Sequence, residues 1–165
     1  MPMRLLALIV LVLTAAGAQE PEREFALDGI SLTVALSDEW KQVAKNATAG
    51  VMLMKTTSDG ERISLVLNKQ PNTRGLEGLK AMYEREFQRA HVKFKLLGSF
   101  LEKVGEIPVL KIVHENETPG KAVRQVFYVF DFGEVSCCMT LSGMQDKGDK
   151  YDQEFSAIVA SLRKK

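Results

Sequence analysis

Apolar and polar residues alternate through the first third of the chain, change to a helical period near residue 75, and alternate again beyond residue 92. In "EFALDGISLTVAL", Ile30, Leu32 and Val34 alternate with Ser31 and Thr33 behind the pair Asp28-Gly29, which predicts two short strands around a tight turn. Trp40, the single tryptophan, follows the turn-forming Ser37-Asp38-Glu39 and is expected to plug one end of the core. The stretch "GVMLMKTTSDGERISLVLNKQ" reads as a hairpin folded at Asp59-Gly60. In "GLEGLKAMYEREFQRA", Leu76, Leu79, Tyr83, Phe87 and Ala90 share one helical face, and Glu77, Lys80, Glu84, Arg85 and Gln88 cover the other. Gly75 and Gly78 lower its intrinsic propensity, so packing has to hold its first turn.

Four more strands are predicted at residues 93–103, 106–115, 121–132 and 134–143, joined by the short links "VGE", "ENETPGK" and "FGE". "VRQVFYVFDF" is apolar on both alternating sets, with Val123, Phe127 and Val129 on one and Val126, Tyr128, Phe130 and Phe132 on the other. A strand of that kind belongs inside a sheet covered on both faces. The terminal "DKYDQEFSAIVASLRKK" aligns Tyr151, Phe155, Ile158 and Leu162, with Asp149 and Asp152 near the start and Arg163, Lys164 and Lys165 at the end, an order that complements a helix dipole. The expected class is α+β: a mostly antiparallel sheet of about six strands covered by helices, one mid-chain and one C-terminal.

The N-terminus changes the picture of where the protein works. Arg4 precedes an apolar run from Leu5 to Ala16, and Ala16-Gly17-Ala18 precedes Gln19, the three parts of a secretory signal peptide cleaved after Ala18. The run is shorter than the ~20 residues a membrane span needs. Gln19 stands where a lipoprotein would carry cysteine, so a soluble periplasmic or secreted product of one domain, residues 19–165, is expected. Loss of Arg4 leaves equal numbers of acidic and basic residues, which argues against nucleic acid as a partner. Asn46 and Asn116 open glycosylation sequons, relevant in a eukaryotic source.

Chemistry is sparse. The two cysteines are adjacent in "VSCCMTL", and in a strand their side chains diverge: Cys137 shares a face with Val135, Met139 and Leu141, and Cys138 with Ser136, Thr140 and Ser142. A trans peptide holds adjacent Cα atoms near 3.8 Å, closer than ordinary disulfide geometry, so a bond between them needs a distorted turn. The expected role is packing. The alternative is a thiol-redox or copper site in which Cys138, with Cys137, recruits Met52 and Met54, whose soft sulfurs suit Cu(I). His91 and His114 are expected as surface or strand-end residues, and "HENETPGK" as a polar loop. "DFG" at Asp131 to Gly133 lacks the other kinase motifs, and neither a G-x-S-x-G elbow nor a phosphate loop is present. No catalytic residue and no cofactor is expected.

The order of elements, with "GISLTVALSDEW" at one end and "EFSAIVASLRK" at the other, resembles the PsbP-like superfamily, which includes DcrB-like proteins of the bacterial envelope. The matching positions are Gly29, Ile30 and Leu32 before Trp40, then Phe155, Ile158, Ser161 and Leu162; members commonly carry a proline before the tryptophan, where this chain has Ser37-Asp38-Glu39. The resemblance implies an α-β-α sandwich acting as a non-catalytic binding or accessory module, engaging a membrane-associated protein or hydrophobic ligand, and it carries no catalytic residues across. A monomer is expected.

Overall fold

The computed structural model describes residues 20–46, 50–71 and 74–165. The signal-peptide expectation and its cleavage residues Ala16, Ala18 and Gln19 lie outside them. Two strands open the fold, β1 (Glu22–Leu27) and β2 (Ile30–Ala35), paired antiparallel. Asp28 and Gly29 between them both have positive φ, 30° and 83°, the geometry whose twist matches a tight hairpin.

Next come β3 (Lys41–Asn46), β4 (Gly50–Thr56), β5 (Arg62–Pro71), α1 (Gly75–Ala90), β6 (Val92–Val104), β7 (Ile107–Thr118), β8 (Lys121–Asp131), β9 (Val135–Met144), α2 (Asp152–Ser161) and β10 (Arg163–Lys164). β3 to β9 form one antiparallel sheet in the order β3-β4-β5-β9-β8-β7-β6. Gly50 starts β4 with φ 128°, and a Cβ there would meet the Leu67 carbonyl oxygen at 1.9 Å, so β4 approaches β5 only because this residue has no side chain.

The sheet has a core on each face. Leu53, Leu65, Leu67, Tyr128, Phe130, Cys137, Met139 and Leu141 face the larger core, shared with Trp40 and with Tyr151, Phe155, Ile158 and Leu162, the helical face expected for α2. Leu110, Ile112, Phe127, Val129 and Cys138 face the smaller one, closed by Leu79 with Leu76, Met82, Tyr83 and Phe87 of α1. β8 therefore buries both of its sides, as its unbroken apolar run requires.

The α+β class, the two helices and the sandwich arrangement stand; the strand count and the make-up of one covering layer differ. The main sheet has seven strands, and β1, β2 and β10 make a separate three-stranded sheet that shares the larger core with α2. That face is covered by mixed strand and helix, so strands dominate the sandwich. The basic end of the chain is also corrected: α2 stops at Ser161, and Arg163 and Lys164 pair with Thr33 and Leu32 of β2. Ser161 makes the junction, its Oγ accepting from the Ala35 amide at 2.8 Å and donating to the Ile158 carbonyl at 2.7 Å.

Candidate binding surface

The path of α1 decides which part of the sheet stays open. β5 lies mid-sheet and β6 at the far edge, so the connecting helix has to cross the strands between them, and it packs over β6, β7 and β8. The β3-β4-β5 half of that face is not crossed. Met52 and Met54 lie there in register with Val66 and Ser64 of β5, which in turn face Thr140 and Ser142 of β9. All six are partly exposed.

At the outer end β3 carries a bulge between Gln42 and Ala44, and Val43 in it is 52% exposed. Here Val43, Met54 and Thr56 line an open cleft of about 530 Å³ with Glu39, Lys41 and Arg62. Flexible thioethers and a valine with charged residues beside them suit an apolar group presented by a polar partner. A narrower cleft of about 220 Å³ opens beside Trp40, where Lys55 bridges Glu39 at 2.8 Å and Glu154 at 3.0 Å and the indole donates to Glu154 at 3.2 Å. Burial lowers the Lys55 pKa, but its two carboxylate partners outweigh that and hold it above the usual value. The arrangement ties β4 to α2 and leaves the lysine charged.

Cys137 and Cys138 are 0% and 4% exposed, both free, and lie on opposite faces of β9. Cys138 accepts from Gln70 Nε2 at 3.0 Å and lies 3.7 Å from the Tyr83 hydroxyl, which is itself hydrogen-bonded by Gln70. Burial pushes the Cys138 thiol up to about 11 and Cys137 still higher, which removes thiolate character from both. Met52 and Met54 share the sheet face of Cys138, but Cys138 pairs with Asn68, and Met52 with Val66 one strand further on. The methionines and the thiol are thus not brought to one point. Among the described residues no group of three or more His, Cys, Asp or Glu is placed to hold a metal. Accordingly, Ellman's reagent is expected to leave both thiols untouched in the folded protein and to titrate two in denaturant; rapid reaction of the folded protein would contradict their burial.

The polar stretch His114 to Lys121 departs from expectation. β7 runs through Thr118 and β8 begins at Lys121, so the loop is reduced to Pro119-Gly120. His114 and Asn116 are buried, on the same alternating set as Leu110 and Ile112. Asn116 Nδ2 donates to His114 Nδ1 at 3.2 Å and to Gln125 Oε1 at 2.8 Å, and Gln125 Nε2 donates to Ser142 at 2.9 Å. His114 packs against Phe87, His91 and Phe94 at 4.9–5.3 Å between ring centres. His114 is therefore a core residue where a surface or strand-end position was expected, while His91 stands partly exposed just before β6, and the Asn116 sequon is closed to modification in the folded chain. The period-2 set Leu110, Ile112, His114, Asn116 was the available signal; polarity masked it.

No family model and no curated protein sequence matches the chain. Solved structures do. PA94 of Pseudomonas aeruginosa, a protein of unknown function, aligns with a TM-score of 0.63 at 11% identity over 86% of this chain and 96% of its own. Cyanobacterial PsbP (CyanoP) of Synechocystis sp. PCC 6803 aligns at 0.61 with 13% identity, covering 90% of this chain and 95% of that one. The chain has the PsbP-like fold. LpqN, involved in cell envelope biogenesis of Mycobacterium tuberculosis, aligns with the same PsbP-like fold at 0.57 and 12% identity, covering 87% and 90%. These identities carry the fold and leave function to the chain's own surfaces.

Proposed function

We propose that this is an exported, non-catalytic binding module of the cell envelope that engages a membrane-associated protein through the open half of its sheet. The observation that carries the reading is the partly exposed strip Met52, Met54 and Val66 beside α1, ending at the cleft of Val43, Lys41 and Arg62. The N-terminal run from Arg4 to Ala18 supports export. Likeness of fold to LpqN, whose role is in envelope biogenesis, agrees with the compartment. The buried side chains Cys137, Cys138 and His114 are used in packing inside the fold, which favours a scaffold over a catalyst. No helix among the described residues is long and apolar enough to cross a membrane.

A photo-crosslinking amino acid at Val43, introduced in the native host, tests this. A discrete adduct with an envelope protein that disappears when Met54→Asp is added supports the reading. Absence of any adduct, or one indifferent to Met54→Asp, removes it.

A further inference from the structure

Among the described residues β6 is the outer strand of the seven-stranded sheet with no strand beyond it, and that edge is unlike the edge of a blunted strand. It is 13 residues long, and Leu96, Leu97, Phe100 and Leu101 are 40–51% exposed in one contiguous stretch. Edge-protecting features are present at its beginning: Lys93 with φ 52°, Lys95, and register shifts between Val92 and Lys95 and between Leu96 and Gly98. From Gly98 to Val104 the ladder to β7 is regular, and this half carries Phe100 and Leu101.

We infer that β6 pairs antiparallel with β6 of a second copy about a two-fold axis at Ser99, joining two sheets into one. The register follows from the side chains. With Ser99 on the axis, Phe100 of each chain lies opposite Gly98 of the other, a position its ring already covers within its own chain. Leu101 then meets the bulged pair Leu96-Leu97. The bulge takes up one residue, so the next pair is Glu102 with Lys95; without it Lys103 would face Lys95, two like charges. Glu102 and Lys95 project on the same side, because Glu102 is in register with Val109 and Lys95 with Glu115, both on the set opposite Leu110 and His114. With the same bulge, moving the axis to Gly98 places Phe100 on Lys95, and moving it to Leu101 places Phe100 on Glu102. The Ser99 register therefore sets Leu101 against Leu96-Leu97 and Glu102 against Lys95, and it does so twice by symmetry.

This contact replaces the monomer expectation and leaves the Met52–Met54 surface free, so it stands or falls apart from the proposed function. Sedimentation velocity of the purified chain should show a concentration-dependent dimer. Glu102→Lys, which sets two lysine pairs across the axis, should weaken it by about tenfold or more, and adding Lys95→Glu to Glu102→Lys should restore it to within about threefold of the unaltered protein. Both positions are exposed, and circular dichroism checks that the variants fold. A chain that stays monomeric at about 100 µM, or a dimer unmoved by Glu102→Lys or not rescued by the charge swap, overturns the assignment.

Discussion

Replacing Phe127 with alanine is expected to lower the unfolding free energy by about 3–5 kcal/mol and to release α1 before the rest of the fold. Phe127 is the one aromatic ring among the fully buried residues of the smaller core, and it contacts Tyr83 and Phe87 at ring distances of 4.7 and 5.1 Å in edge-to-face geometry. α1 contributes a single fully buried side chain, Leu79, and its N-cap residue Arg74 makes no side-chain capping bond. The helix is therefore held by what lies beneath it; with Phe127 gone, Tyr83 and Phe87 keep their mutual contact at 5.6 Å and Phe87 its contact with His114, but both lose the ring that ties them to β8. Urea unfolding at neutral pH gives the energy, and hydrogen exchange of the α1 amides gives its location. A loss under about 1 kcal/mol, with α1 exchange unchanged, would show that the helix is anchored by other contacts.

Much of this core was legible because period alone assigns faces. Leu76, Leu79, Tyr83 and Phe87 recur at helical spacing and all reach the sheet, and the split of Cys137 and Cys138 to opposite faces follows from strand alternation. What period does not encode is adjacency. β5 pairs with β9, about 70 residues away along the chain, so nothing in the order of elements says that β6 is an edge or that α1 crosses only part of the sheet. The exposed run from Leu96 to Leu101 consequently read as an ordinary strand, and Met52 and Met54 as part of a hairpin or as metal ligands, while the structure gives them a half-open floor. Composition misled in two places for one reason. The charged end from Arg163 to Lys165 suggested a helix terminus and "HENET" a loop, yet both extend as strands because a neighbouring strand supplies the hydrogen-bond ladder.

His114 gives that buried polar row a measurable consequence: the fold should lose about 2–3 kcal/mol between pH 7 and pH 4.5, and His114→Phe should abolish most of the loss. Burial, with a smaller contribution from His91, pushes His114 down to about 4. Its ring is 1% exposed and faces Phe87 of α1, His91 at the end of α1, Phe94 of β6 and Asn116 of β7; Glu115 and Lys95 lie on the opposite face of the sheet. Because Nδ1 faces the Asn116 amide as acceptor, the neutral ring is the form this pocket stabilises. The folded pKa is below the unfolded value near 6.5, so the unfolded chain binds the proton first; stability is complete above about pH 6.5 and falls as the pH drops toward 4. His91, also lowered by burial, adds a slope of the same sign. Carboxylates act lower down: hydrogen bonds from Lys150 and Thr57 hold Asp59 near 2, and its contribution is lost only below about pH 4. Phenylalanine keeps the ring packing and leaves Asn116 its bond to Gln125, so the variant separates titration from cavity formation. Parallel pH profiles of urea midpoints for the two proteins would mean that His114 is protonated in the folded state as readily as in the unfolded one, and that the pocket closes on the imidazolium as well.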